Sequence, residues 1–250
     1  MRTIAIGDIH GCAKALEGLI AAIEPMESDR LIFLGDYVDR GPDSKGVIDL
    51  LLGLRRRCQT ICLLGNHEIM LRLVLNGPVP EEWLQLGGRE TLASYGGSLK
   101  NIPPEHINFL FGLLPYYETE SAVFVHANYD ATLAMREQSE ESLYWQHLTD
   151  LPGPHRSGKQ FFVGHTPQVS GEVGDFGYLK CLDTFCFGGG WLTALEVDQG
   201  QVWQVSIEGK LRQKQRFLEL LRKKIGSLRS RGVENPHLGA GAEAKASNLS

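Results

Sequence analysis

The stretches TIAIGDIHG (residues 3–11), LIFLGDYVDRG (31–41) and TICLLGNHE (60–68) share one plan. Each begins with a run of apolar and β-branched residues, the composition of a buried strand. Each then breaks at a glycine and continues with carboxylates, a carboxamide or imidazoles. The residues between them have a different period. From Cys12 to Ile23, Leu16, Leu19, Ile20 and Ile23 fall on one helical face. A second helix is predicted from Pro42 or Asp43, with Val47, Ile48, Leu51 and Leu54 turned inward. Alternating strands and helices imply right-handed crossovers and a mainly parallel sheet. The C-terminal ends of such strands share an edge, where ligands bind.

Two later apolar runs end in the same manner. Ala122–Val125 leads into Val-His-Ala (125–127), and Gln160–Val163 into Val-Gly-His-Thr (163–166). Further strands are predicted over Tyr178–Leu182, Leu192–Val197 and Val202–Ile207, with Gly200 in a hairpin turn. Residues 77–115, rich in Gly and Pro, read as a helical insertion. Five strand ends would then bring Asp8, His10, Asp36, Asn66, His126 and His165 to one place. Oxygen and imidazole donors without thiolate suit Mn²⁺, Fe or Zn²⁺ and make a poor structural zinc site. Six donors are too many for a single catalytic ion that keeps a position open. Shared between two ions about 3.5–4 Å apart, with one carboxylate bridging, they suit in-line phosphoryl displacement.

Composition narrows the classes. With 42% hydrophobic and 22% charged residues, the 250-residue chain is no disordered polymer. Residues 1–209 carry 15 basic and 27 acidic side chains, a balance that argues against a nucleic-acid-binding body. Residues 210–232 carry nine basic and one acidic. The stretch 208–232 is expected to be a basic amphipathic helix that packs on the body or recruits a partner, and 233–250 a disordered tail. No apolar run approaches the roughly 20 residues of a membrane span. The five cysteines lack a CxxC pair and suit reduced thiols. The N-terminal residues do not read as a secretory leader, so a cytoplasmic protein is expected.

GDIHG, GDYVDRG and GNHE in succession, followed by VHA and GHT, resemble the phosphoprotein phosphatase family of metallophosphoesterases over residues 1–207. The likeness is greatest to its compact bacterial and phage serine/threonine phosphatases, with diadenosine tetraphosphate hydrolases as relatives. The resemblance implies an α/β calcineurin-like fold, a pair of mixed sheets flanked by helices. It implies that Asp8 and His10 bind one divalent metal ion, that Asn66, His126 and His165 bind a second, and that Asp36 bridges them, with manganese the expected metal. His67 would be the general acid, Asp39 its orienting partner, and Arg40 and Asn66 the holders of the substrate phosphate. The implied reaction is direct in-line attack on phosphorus by a hydroxide held between the metals. The leading expectation is a protein phosphatase acting on a phosphoserine or phosphothreonine protein or peptide. The alternatives are a dinucleoside polyphosphate hydrolase and a non-catalytic binding protein of the same fold.

Two positions depart from the family's pattern. His147 stands where an arginine commonly follows Trp145 by two positions, and is a candidate phosphate contact; Arg136 and Arg156 are other candidates for the missing guanidinium. Phe185 follows Asp183-Thr184 where relatives usually carry glycine, and either narrows the groove or packs in the core. Trp83, Tyr95 and the Leu86–Arg89 turn are similarly either substrate contacts or core.

Overall fold

In the computed structural model, which describes residues 1–75 and 77–212, β1 (Thr3–Ile6), β2 (Arg30–Phe33) and β3 (Gln59–Cys62) lie parallel and adjacent. They are joined by α1 (Ala13–Ile23) and α2 (Ser44–Leu54), and β3 runs on into α3 (Asn66–Val74). The faces predicted from periodicity are the buried ones: Leu16, Leu19 and Ile23 on α1, where the fourth predicted residue, Ile20, is only partly buried, and Val47, Ile48, Leu51 and Leu54 on α2. α2 starts after Asp43 because that carboxylate caps it, accepting the Gly46 N–H at 2.8 Å.

The insertion is helical, comprising α4 (Glu81–Trp83), a wide turn over Leu84–Gly88, α5 (Arg89–Ser94) and α6 (Pro104–Phe111). Tyr95 and His106 are buried partners at 2.8 Å, and His106 reaches Asp49 of α2 at 3.0 Å, which fastens the insertion to the body.

A second sheet follows: β4 (Tyr116–Glu118), β5 (Ala122–Val125), then α7 (Glu140–Tyr144), β6 (Gln160–Val163), β7 (Gly174–Asp175) and β8 (Leu179–Cys181). Its order is β4-β5-β6-β8-β7, with β5, β6 and β8 parallel and the two edge strands antiparallel. β9 (Leu192–Glu196) and β10 (Val202–Val205) form a hairpin through Gly200 and return to the first sheet, giving the order β10-β9-β1-β2-β3. The single mainly parallel sheet expected from the alternation is thus two mixed five-stranded sheets, as the family resemblance implied.

Ala5, Ile32, Leu34, Ile61 and Leu63 of the first sheet form one core with Ala122, Phe124, Phe162 and Leu182 of the second. The alternate residues Ile4, Ile6, Leu31 and Phe33 belong to the core shared with the helices. Both faces of these strands are buried, which is why they read as unbroken apolar runs. The predicted helix and tail lie, from residue 213 onward, outside the described residues. Among those that are described, no helix is long and apolar enough to cross a membrane, and all five cysteines are free and buried.

Candidate metal centre

Each sheet contributes three parallel strands, and the loops after them meet. The backbone there is unusual. Seven non-glycine residues among those described have positive φ, and five are His10, Asp36, Asp39, Arg40 and His165. Such conformations cost roughly 1–3 kcal/mol each and persist only where surroundings impose them. Gly11 and Gly41 show how tightly the first two loops are laid together. A Cβ on Gly41 would lie 1.9 Å from the His10 carbonyl oxygen, and one on Gly11 2.6 Å from that of Gly41.

The hydrogen bonds of the imidazoles assign their tautomers. His10 Nδ1–H donates to the Val38 carbonyl at 3.0 Å, His126 Nδ1–H to Leu34 at 2.8 Å, and His165 Nε2–H to Trp145 at 3.0 Å. His67 Nδ1–H donates to Asp39 Oδ2 at 2.8 Å. The other nitrogen of each ring therefore presents a lone pair, and these converge on further acceptors. His10 Nε2 and His126 Nε2 each stand 3.4 Å from an Asp36 oxygen, and His67 Nε2 stands 4.0 Å away with no hydrogen-bond partner. Asn66 Oδ1 lies 3.0 Å from His126 Nε2 and 3.1 Å from His165 Nδ1.

Donor atoms that could hold a metal ion fall into two groups, His10–Asp36–His67 and Asp36–His126–His165, within each of which they lie within 4.8 Å of one another, and His67, expected as the general acid and not as a ligand, stands in the first. Asp36 is common to both. Asp8, expected beside His10, stands outside both groups, and its Oδ2 accepts the His165 N–H at 3.0 Å. Burial first, and neighbouring carboxylates second, push Asp8 and Asp36 well above the usual carboxylate range. Burial pulls His10, His67 and His126 well below 6.5 and His165 to about 4. Converging lone pairs, imidazoles kept neutral and crowded carboxylates suit divalent cations.

Beside the metal groups, Asp39 is held by the insertion. Thr91 donates to its Oδ1 at 2.7 Å, Trp83 Nε1–H to its Oδ2 at 3.0 Å, and its own N–H donates to Thr91 and Ser44. Burial still pushes this carboxyl up to about 7. Arg40 donates from Nη1 to His10 Nε2 at 3.3 Å, and its guanidinium lies 4.7 Å from the Phe187 ring centroid. Trp83 and Tyr95 are buried, so the insertion's aromatics serve as support and core.

His147 is exposed and stacks on His165 at 4.4 Å, lining a cleft of about 250 Å³ with Asp36, Arg40, Asn66, His67 and Trp145. Arg136 pairs with Glu137 at the surface and Arg156 donates to the Thr132 carbonyl, so neither takes the place of the expected arginine in that cleft. Phe185 has φ 63° and packs on Phe187. A glycine would hold that conformation without strain. Glu68 is not among the residues singled out from the sequence, yet its buried carboxylate accepts the N–H groups of Asp36, Tyr37, Val38 and Gly65 at 2.7–3.2 Å. Its signal was its place in the first turn of the helix opened by Gly65.

Two mixed sheets thus close on paired Asp/His groups that could each hold a divalent ion. The chain belongs to the calcineurin-like phosphoesterase family, which matches residues 1–198. It is 31% identical over 162 residues, 61% of this chain and 50% of the other, to the symmetrical bis(5'-nucleosyl)-tetraphosphatase of Coxiella burnetii (strain RSA 493 / Nine Mile phase I). It is 29% identical over 171 residues, 61% of this chain and 56% of the other, to the protein of the same name from Pseudomonas fluorescens (strain SBW25). The chain spans about half the length of these curated relatives. Among solved structures, one described provisionally as a diadenosine tetraphosphatase aligns with TM-score 0.63 and 24% identity, over 82% of this chain and 92% of that one. A cold-active protein tyrosine phosphatase aligns with TM-score 0.59 and 16% identity, over 84% and 78%. At these identities the structural likeness speaks for the fold alone.

Proposed function

We propose that this phosphoesterase hydrolyses dinucleoside polyphosphates, in place of the phosphoprotein expectation that led the sequence reading. The observation that carries the proposal is a pair of clefts that meet at Arg40. One, of about 250 Å³, combines the metal-group residues with Met70, Leu86, Trp145 and Pro167. The other, of about 410 Å³, is lined by Leu84, Gln85, Leu86, Arg89 and Phe187. Arg40 and Leu86 border both. A ligand with a polyanionic middle and two flat, partly apolar ends suits that arrangement, and the similar sequences named above act on such a ligand by their names.

Two divalent cations held by Asp36, Asn66, His10, His126 and His165, with Asp8 alongside, would supply Lewis acidity and lower the pKa of water. In this reading Arg40 and Asn66 grip the phosphate, and His147 adds a contact from the exposed rim. Asp39, fixed by Thr91 and Trp83, orients His67 so that Nε2 faces the leaving oxygen. Burial and Arg40 oppose a positive His67 in the free protein. A bound phosphate anion offsets both and favours the imidazolium that donates the proton.

That same dyad favours a second reading. A nucleotide phosphate leaves as an anion and needs little acid assistance, whereas a serine or threonine alkoxide needs a proton. The buried His67–Asp39 pair is therefore the observation on the side of phosphoserine or phosphothreonine monoesters. Activity with added Mn²⁺, measured in parallel on diadenosine tetraphosphate and a phosphoserine peptide, decides between them. Turnover of the dinucleotide at higher kcat/KM is the expected result, and turnover of the peptide alone reverses the order.

A further inference from the structure

Asp183 follows β8, the third strand of the second parallel trio, and no role above uses it. Its neighbour across the sheets is fixed by backbone contact. A Cβ on Gly7 would lie 2.2 Å from the Leu182 carbonyl oxygen, so the chain passes backbone to backbone just before Asp8 and Asp183. Asp8 is 3% exposed and Asp183 2%. Each carboxylate is anchored through one oxygen only: Asp183 Oδ1 accepts the Phe185 N–H at 3.0 Å, and Asp8 Oδ2 the His165 N–H at 3.0 Å. The remaining oxygens, Asp183 Oδ2 and Asp8 Oδ1, are buried without a hydrogen-bond partner. Among the described residues four buried side-chain polar atoms stand so, and a third is His67 Nε2.

Bare acceptors are costly in a protein interior, and two adjacent carboxylates repel. Neither aspartate makes an ion pair within 4.0 Å among the described residues. A single turn aspartate needs only the Phe185 contact, which leaves the free oxygen and its charge unexplained. We propose that Asp183 is a further anionic residue of the metal centre, contributing its charge and free oxygen, together with Asp8, to holding the cation at the His10 end. This rests on the dinuclear reading above.

The test is Mn²⁺ titration of the full metal-free chain by calorimetry, comparing wild type with Asp183→Asn. Asparagine keeps an acceptor for the Phe185 N–H and removes the charge, so a role confined to the turn is preserved. Two Mn²⁺ sites are expected in the wild type. In the variant one site should weaken about 10–100-fold, the usual consequence of losing a supporting ligand partner, while the other is unchanged. The electron paramagnetic resonance signal of a coupled manganese pair should vanish at stoichiometric metal. The metal-free variant should melt no lower than the wild type, and gain less from added Mn²⁺. Asp183→Ser is the second variant, should the first fail to fold. Two sites of wild-type affinity in a folded variant overturn the inference alone. A wild-type chain that binds no Mn²⁺ overturns the dinuclear reading itself.

Discussion

The two parallel trios of strands build the centre in different ways. After β1, β2 and β3 the loops carry His10, Asp36, Asp39, Arg40, Asn66 and His67, most of the strained backbone, and a web of internal braces. Glu68 alone receives four backbone N–H groups, and Asp39 is held by Ser44, Thr91 and Trp83. After β5 and β6 there are single histidines, each steadied by one carbonyl, and that of His126 belongs to Leu34 of the other sheet. The first trio thus positions reactive groups relative to one another, and the second closes the far side. Substitutions in the first should reach rates as well as metal binding, whereas those in the second should act through metal occupancy alone.

The largest effect is expected at Asp36, the residue that belongs to both groups. Asp36→Asn should bind fewer than two Mn²⁺ and lose at least the roughly 10²–10³-fold in kcat that deletion of one transition-state stabiliser costs. Full occupancy with unchanged kcat would dissolve the division between the trios. His67→Asn sharpens it. Metal stoichiometry should stay at wild type while kcat on a phosphoserine peptide falls about 10²–10⁴-fold, and turnover of diadenosine tetraphosphate falls far less. His126→Ala is the mirror case, with Mn²⁺ stoichiometry dropping from two to one in a calorimetric titration. Glu68→Gln comes next, with metal affinity reduced about 10–100-fold through the loosened Asp36 loop. An unaltered Mn²⁺ isotherm would reduce Glu68 to a helix cap.

How much of this was legible follows from the same division. In the first trio strand, turn and ligand are contiguous, so GDIHG, GDYVDRG and GNHE each disclosed their place locally. The helix faces of α1 and α2 were equally readable because their partners lie in the adjacent strand–helix unit. β4 and β7 left little signal, being Tyr-Tyr-Glu and a two-residue edge that pair only once the second sheet exists. The separation into two sheets is likewise a long-range event, since β9 pairs with β1 from nearly two hundred residues away and β10 pairs in turn with β9. Trp83 and Thr91 were invisible as supports of Asp39 because their role depends on where the insertion folds back. Asp183 registered only through the phenylalanine that follows it.

The smallest expected effect tests whether strain in the centre has a counterpart in the scaffold. Burial pushes Asp39 up to about 7 despite Thr91, Trp83 and Arg40. Its contribution to stability is therefore full below the unfolded value of 3.8 and is lost as pH rises through about 7. Asp29, at the start of β2, has the opposite sign. Burial opposes ionisation there too, but the Arg2 guanidinium, at 2.5 Å, and the backbone N–H groups of Met26 and Arg2 hold it down at about 2. Its contribution is present above 3.8 and is lost as pH falls through about 2. In metal-free protein, the melting temperature of Asp39→Asn relative to wild type should rise between pH 5 and 8. The deficit of Asp29→Asn should instead close between pH 4 and 2. Shifts of a few degrees are the scale, since about 1 kcal/mol moves Tm by about 2–4 °C at this size. Asp183, also pushed up by burial, titrates in wild type and variant alike and cancels in the difference, whereas Glu68, which the Asp39 charge helps to raise, adds to the rise in Asp39→Asn with the same sign. Parallel slopes for the two variants would mean that the centre bears no more electrostatic strain than the scaffold. Opposed slopes would place that strain in the loop that carries the proposed proton donor's partner.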